Sequence, residues 1–390
     1  MLNEQLLNPK SIVVIGGSND VQKPGGKILK NLLDNNYKGK LFVTNLKSDN
    51  VQGVKAYKKV EDIPEKTIDL AILAVAAKYC PAAIELLIKH KNTKAFIIIS
   101  AGFSEESEEG AKLEKKIATM VSNAKGCLIG PNCVGVLNQN HTSIFTSPIP
   151  KLDPQGCDFI SGSGATAVFI MESGIPKGIT FSSVFSVGNS AQIGVEDVLE
   201  YMDRNFDPEK SSKIKLLYIE SIKDPDKLLE HASSLVRKGC KIAAIKSGRS
   251  EAGSRAASSH TGALASSDVA VDGLFRKAGI VRCYGREELT TVAGVFMHRK
   301  LRGKNIAIIT HAGGPAVMLT DALSMGGLKI PTIEGKAADE LLLHLYPGSS
   351  VANPIDFLAT GTSQQLGKVI DFCNDRFDEI DAIVVIFGSP

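Results

Sequence analysis

The sequence predicts an α/β protein made of successive doubly wound domains on largely parallel sheets. Three observations carry that prediction. Short β-branched runs alternate with longer stretches of helical periodicity. The runs are apolar almost throughout, as strands covered on both faces must be. The alternation also restarts twice along 390 residues, more than a single core usually serves.

The first set of strands is read at "SIVVIGG" (11–17), "GKLFVTN" (39–45), "DLAILAV" (69–75), "AFIIIS" (95–100) and "GCLIG" (126–130), with helical patterns between them at Lys27–Asn35 and Pro81–His90. This Rossmann-type unit is expected to end near residue 145, before the Pro-rich connector "SPIPKLDPQG". A second set follows at "CDFIS", "GITFSSVFSVG", "KIKLLYIES", "KIAAIKSG" and "GIVRCYG", reaching about residue 300. A third runs from "KNIAIITHAGG" to "DAIVVIFGSP". The expected domains are 1–145, 146–300 and 301–390. The last is read as incomplete, because the sequence stops just after a strand and so reads as one segment of a longer polypeptide.

Composition narrows the class. An apolar fraction of 43% and a charged fraction of 22% are ordinary for a soluble globular chain. A net charge of +3 argues for neither a nucleic-acid nor a membrane surface. Seven cysteines without metal-ligand spacing predict reduced thiols in a cytoplasm and no metal site. The start "MLNEQLLNPK" lacks a basic region followed by an apolar run, so no signal peptide is expected.

The first glycine loop, "VIGGSNDVQKPGGKILKNLL", reads as strand, loop and helix, with glycines at 16, 17, 25 and 26. Glycine lets backbone turn sharply and approach a phosphate, and the helix start supplies N–H groups and partial positive charge. The dinucleotide pattern G-x-G-x-x-G is absent, since Ser18 and Val21 occupy the later positions. Beyond the next strand stands Lys47, with Asp49 slightly further on. The lysine suits a nucleotide carrying an extra ribose phosphate, such as NADP or coenzyme A. The plainer reading is a βα turn beside a solvated lysine.

Taken together, the motifs resemble the NDP-forming acyl-CoA synthetases, relatives of the succinyl-CoA synthetase α subunit and including ADP-forming acetate–CoA ligases. The resemblance covers essentially the whole chain. It rests on "VIGGSND…GGKIL", "VTNLK", "ISAGFSE", "GPNCVGVLN", "SGSGA", "SVGN", "YIESIKD" and "SSHTGALA", in that order. It implies a Rossmann-type CoA-binding domain followed by flavodoxin-like domains. Gly17, Ser18, Lys23 and Lys47 then match CoA-pocket positions, with Gly25 and Gly26 in the same loop. Pro131, Asn132 and Cys133 match a loop near the pantetheine arm. His260 is implied to be the phosphorylated histidine and Glu220 its carboxylate partner. Three departures touch CoA and substrate contacts: Ala76 replaces a common proline, "VTNLK" replaces "VNPK", and Gly162 stands where many relatives have glutamine.

The chemistry suits these residues. Neutral imidazole is a competent nucleophile near pH 7. A carboxylate on its other nitrogen fixes the tautomer and stabilises cationic character. Glu220 ends a strand, at the edge where open α/β sheets build sites. Ser163, Gly164, Ala165 and Thr166 open a helix whose first N–H groups suit a phosphoryl group, although plain helix capping explains them too. His260, set in "AASSHTGALA" beside Arg249 and Arg255, would by its neighbours alone pass for a surface-loop residue. His141 and His311 read as structural or loop residues, and "HAGG" as a weaker phosphate-turn candidate. The acid is expected near "SVGN", at Gly188 and Asn189.

The leading reading is an ADP-forming acyl-CoA synthetase or its α-type segment. It joins a short-chain carboxylic acid to CoA through acyl phosphate and phospho-His260. ATP/ADP and Mg2+ are expected at an ATP-grasp domain or subunit outside this segment, in an oligomer. A CoA-sensing module needs neither His260 nor Glu220. An NADP oxidoreductase needs a hydride-transfer constellation that the sequence does not offer.

Overall fold

The computed structural model describes residues 1–253, 255 and 267–388. They fall into two compact units, Met1–His298 and a smaller one from Arg299 onward. The larger unit begins with a short helix, Glu4–Leu7, capped by Asn3. Its first sheet comprises β1 (Ser11–Ile15), β2 (Lys40–Thr44), β3 (Asn50–Val51), β4 (Val54–Tyr57), β5 (Leu70–Leu73), β6 (Ala95–Ile98) and β7 (Cys127–Ile129). Among the described residues their order is β3-β4-β2-β1-β5-β6-β7. All pairs are parallel except β3 with β4. Strands β1, β5, β6 and β7 are buried throughout, as their apolar runs require. Each fully buried Val, Leu or Ile there contributes about 1.5–3 kcal/mol.

The second sheet comprises β8 (Gly135–Leu137), β9 (Thr142–Ile144), β10 (Leu152–Ser161), β11 (Phe181–Ser186), β12 (Ile214–Ile219), β13 (Lys241–Lys246) and β14 (Ile280–Cys283). Its order is β14-β13-β12-β10-β11-β8-β9. The hairpin β8–β9 lies antiparallel on the β11 edge, so residues 135–144 belong to this sheet although their sequence follows the first. Strands of three residues carry no readable period, and the connector starting at Ser147 masked the earlier crossover. One continuous core runs through both sheets, from Ile12 and Ile97 to Ile160, Val187 and Leu217.

The helix Pro24–Asp34 starts on a proline already set for helical geometry, and turns Ile28, Leu29 and Leu32 inward. Its buried Asn31 donates from Nδ2 to the carbonyls of Ile144 (2.6 Å) and Thr146 (3.0 Å), bolting the helix to the hairpin. His141, only 3% exposed, lies 2.8 Å from the Leu6 carbonyl and 2.7 Å from Ser143 Oγ. Burial pushes its pKa down to about 4, so it is a neutral packing residue.

The smaller unit holds β15 (Ile306–Thr310), β16 (Ile355–Asp356) and β17 (Ala382–Ile386), parallel in the order β16-β15-β17. Ala307, Ile309, Leu341, Phe357 and Phe372 form its core. His311 stacks on Phe387 there, and the helix Gly313–Met325 follows the "HAGG" turn.

Candidate functional site

Two cavities open along strand ends of the larger unit. The first, of about 860 Å³, lies over β2, β1 and β5. The strand order reverses between β1 and β5, with later strands added on the other side of β1, and such switch points are where open α/β sheets bind ligands. Gly17, Ser18, Lys23 and Lys47, the positions that the resemblance matches to a CoA pocket, line the cavity. Gly25 and Gly26 lie beneath the loop. A Cβ on Gly25 would stand 2.2 Å from the Gly16 carbonyl oxygen, and one on Gly26 2.0 Å from that of Asp20. Glycine is therefore required to seat the helix start under the loop.

Sequence reasoning missed the residues that hold this loop in place. Asn45 donates from Nδ2 to the Gly17 carbonyl (2.8 Å) and accepts from the backbone N–H of Lys47 (2.8 Å). Gln52 donates from Nε2 to the carbonyls of Ser18 (2.7 Å) and Gly26 (2.8 Å). Lys58, Lys59 and Tyr79 also line the cavity. Asp49 pairs with Lys58 at 2.8 Å, which holds its carboxyl below the usual carboxylate range. Glycine backbone, a helix start and four lining lysines fit a long polyphosphate ligand.

The second cavity, about 430 Å³, gathers loops from both sheets. Asn132, Cys133, Ser163, Gly164, Ala165, Gly188, Asn189 and Glu220 all line it. They come from strand ends as far apart in sequence as β7 and β12. Here β10 and β12 lie side by side, but the helices that follow them pack on opposite faces, which opens the crevice. Ser163 caps the helix Gly164–Gly174, its Oγ accepting from the Thr166 N–H at 3.3 Å. Gly164 and Ala165 present that helix start to the cavity, whereas Thr166 lines a separate pocket with Phe169 and Tyr218. Burial, the largest influence, pushes the Tyr218 hydroxyl up.

Asn189 is the hub. Its Nδ2 donates to Glu105, to Glu114 Oε2 (2.9 Å) and to Ser104 Oγ (3.2 Å). Its backbone N–H donates to the Pro131 carbonyl (3.0 Å). Burial pushes the Glu105 carboxyl up, but hydrogen bonds from Asn189 and the backbone outweigh it and leave the group below its ordinary value. Gly188 has φ +54°, and a Cβ there would lie 2.1 Å from the Pro131 oxygen. The loops "GPNC" and "SVGN" thus lock together.

Cys133 is 3% exposed, and burial pushes its thiol up to about 12, so it is no nucleophile. Pro131 is not among the residues lining either cavity; its carbonyl accepts from the Asn189 N–H. Lys223 donates from Nζ to the Asn189 (3.3 Å) and Ser190 (2.5 Å) carbonyls at the cavity rim. Lys246, 2% exposed at the end of β13, stands in the field of Glu220; burial pushes its pKa down, against the pull of Asp268. No sequence signal distinguished Glu114, Lys223 or Lys246 from solvated charges. His260 lies outside the described residues, as do its neighbours 256–266. Among the described residues no group of metal-ligating side chains assembles, and no helix is long and apolar enough to cross a membrane.

Comparison with known proteins follows this geometry. Residues 10–139 match the family described as a CoA binding domain, and residues 154–296 the succinyl-CoA ligase like flavodoxin domain. The chain is 37% identical to the α subunit of acetate–CoA ligase (ADP-forming) II of Pyrococcus furiosus, over 93% of this chain and 77% of that subunit. It is 34% identical to 4-hydroxybutyrate–CoA ligase (ADP-forming) of Nitrosopumilus maritimus, over 95% of this chain but only 53% of that protein. Against such longer ligases it spans about half their length. In structure it resembles acetyl-coenzyme A synthetase 1 of Ca. Korarchaeum cryptofilum, solved with phosphate and ADP. The TM-score is 0.81 at 26% identity, covering 99% of this chain and 89% of that one.

Proposed function

The chain belongs to the NDP-forming acyl-CoA synthetase family as an α-type segment of the ADP-forming acyl-CoA ligases, and from that premise we propose how its residues divide the work. The proposed overall reaction joins a carboxylic acid, CoA and ATP to give acyl-CoA, ADP and phosphate. The nucleotide and Mg2+ are handled by an ATP-grasp segment or β-type subunit outside residues 1–390, and the phosphoryl group arrives on His260.

The reading rests chiefly on one observation. Glu220 and the helix start at Ser163–Ala165 line a single cavity, in the same unit as the glycine-loop cavity. Glu220 holds the His260 imidazole in the tautomer that accepts and releases phosphate. The N–H groups at Gly164 and Ala165 receive the phosphoryl oxygens as an oxygen of the acid displaces His260 from phosphorus. The N–P bond breaks, an O–P bond forms, and the acid becomes an acyl phosphate. Lys23, Lys47 and Lys58 hold the CoA phosphates at the first cavity. CoA supplies the thiol chemistry: a C–S bond forms at the acyl carbon, the C–O bond to phosphate breaks, and the thiol proton is lost.

The test runs the reaction backwards. Acyl-CoA and radiolabelled phosphate are expected to leave acid-labile, base-stable label on the protein. His260→Asn abolishes the label, and Glu220→Gln lowers its rate by roughly 100-fold or more. Undiminished label in His260→Asn defeats the assignment. CoA binding without any label would instead leave a CoA-sensing module.

A further inference from the structure

Gly162, Gly164 and Gly188, three of the four glycines that line the second cavity, are not equivalent. Gly188 is required by a left-handed backbone and by the Pro131 carbonyl 2.1 Å from its would-be Cβ. Gly164 is required more mildly, with Val134 Cγ1 at 2.9 Å. Gly162 meets neither demand. Its φ is not positive, and a Cβ there would find nothing closer than 3.6 Å, the nearest groups being the Tyr218 oxygen and the Glu220 backbone and Cγ. A Cβ at 162 would make only ordinary contacts, beside Glu220, at a position that lines the cavity. Glycine weakens a strand end through its conformational entropy, so space is what this position gains.

The charges of the cavity limit what fills that space. Its lining carboxylates are Glu114, Glu196 and Glu220, and its lining cation among the described residues is Lys223. Lys223 already donates to two carbonyls. A phosphate and one carboxylate meet the Gly164 helix start; a second carboxylate on the acid would meet three like charges without a partner. Val134, Phe145 and Val195 offer apolar wall beside the polar group of Ser104 and Asn189.

We infer that the absent side chain at Gly162 forms part of the acid pocket, so that this chain takes a monocarboxylic acid whose uncharged tail is longer than a methyl group. The inference rests on the function proposed above. The pocket admits branched or hydroxylated short chains and rejects dicarboxylates.

Arsenate-dependent release of CoA tests it on the full chain without a nucleotide-binding partner. An arsenate oxygen bonds to the acyl carbon as the C–S bond breaks and CoA leaves as the thiol; water then cleaves the acyl arsenate to acid and arsenate. The unmodified chain is expected to use 3-methylbutanoyl-CoA at least as well as acetyl-CoA, by kcat/KM, and succinyl-CoA at least about tenfold less well. Gly162→Gln lowers the ratio of 3-methylbutanoyl-CoA to acetyl-CoA by about tenfold or more, as filling a pocket by a few heavy atoms does. Gly162→Ala lowers it by a smaller factor and carries the test should the glutamine variant not fold, with thermal melting reporting the fold. An equal loss on every acyl-CoA, or a preference of the unmodified chain for acetyl-CoA, overturns the inference alone. No arsenolysis of any acyl-CoA counts instead against the proposed function.

Discussion

The two cavities are built on opposite plans. In the first the floor is fixed backbone, with Gly25 and Gly26 in contact with carbonyls, while the charges are exposed lysines on flexible stems, Lys58 among them paired with Asp49. In the second the charges themselves are fixed, tied to one amide at Asn189 and to loop carbonyls by Lys223. A long polyanion tolerates the first arrangement, since each phosphate is met by a flexible cation. A small group passing between oxygen, nitrogen and sulfur needs the second, since a misplacement of an ångström costs rate.

Three substitutions sharpen that contrast. The largest effect is expected of Gly188→Ala, which puts a methyl group into the Pro131 carbonyl and strains a left-handed residue. It should cost about 3 kcal/mol of stability, read by denaturant unfolding. A loss no greater than that of Gly162→Ala would mean the two loops are not locked. Next comes Lys47→Ala, expected to weaken CoA binding by about fivefold, and less in high salt. Calorimetry with dephospho-CoA should show a smaller loss, and equal losses would remove the lysine from the ribose phosphate.

The smallest effect concerns acid. The folded Glu105 carboxyl titrates below its ordinary value of 4.5. It therefore contributes stability that is present above that value and lost as pH falls through the lower, folded one. Asn189→Ala removes the leading hydrogen bond behind the shift, so melting temperature should fall less steeply with acid in the variant. An unchanged acid limb would show that the backbone N–H groups of Gly102 and Phe103 hold the carboxylate by themselves.

Much of this was legible before any coordinates. The apolar runs at 11–15, 70–73 and 95–98 read as strands because they are short, rich in β-branched residues and bounded by turn residues. The hairpins at 50–57 and 135–144 were not seen, since two to four residues fix no period and Gly53 or "NQN" reads simply as loop. Glu220 and Ser163 were singled out because the family resemblance pointed to the motifs around them and because a strand end and a helix start are readable in sequence. Asn45, Gln52 and Lys223 were not, because what marks them is a carbonyl across space. Gly162 was noticed as a departure, but only the open volume around it gives it a meaning.

Asn31 has a consequence beyond packing. By joining the helix under the glycine loop to the hairpin of the second sheet, it makes the distance between the cavities a property of the fold. On the function proposed above, the pair works as a gauge of fixed span: the carrier is measured by its length as well as recognised by its charge, and one whose arm is a few bonds short would dock its phosphates without presenting its sulfur.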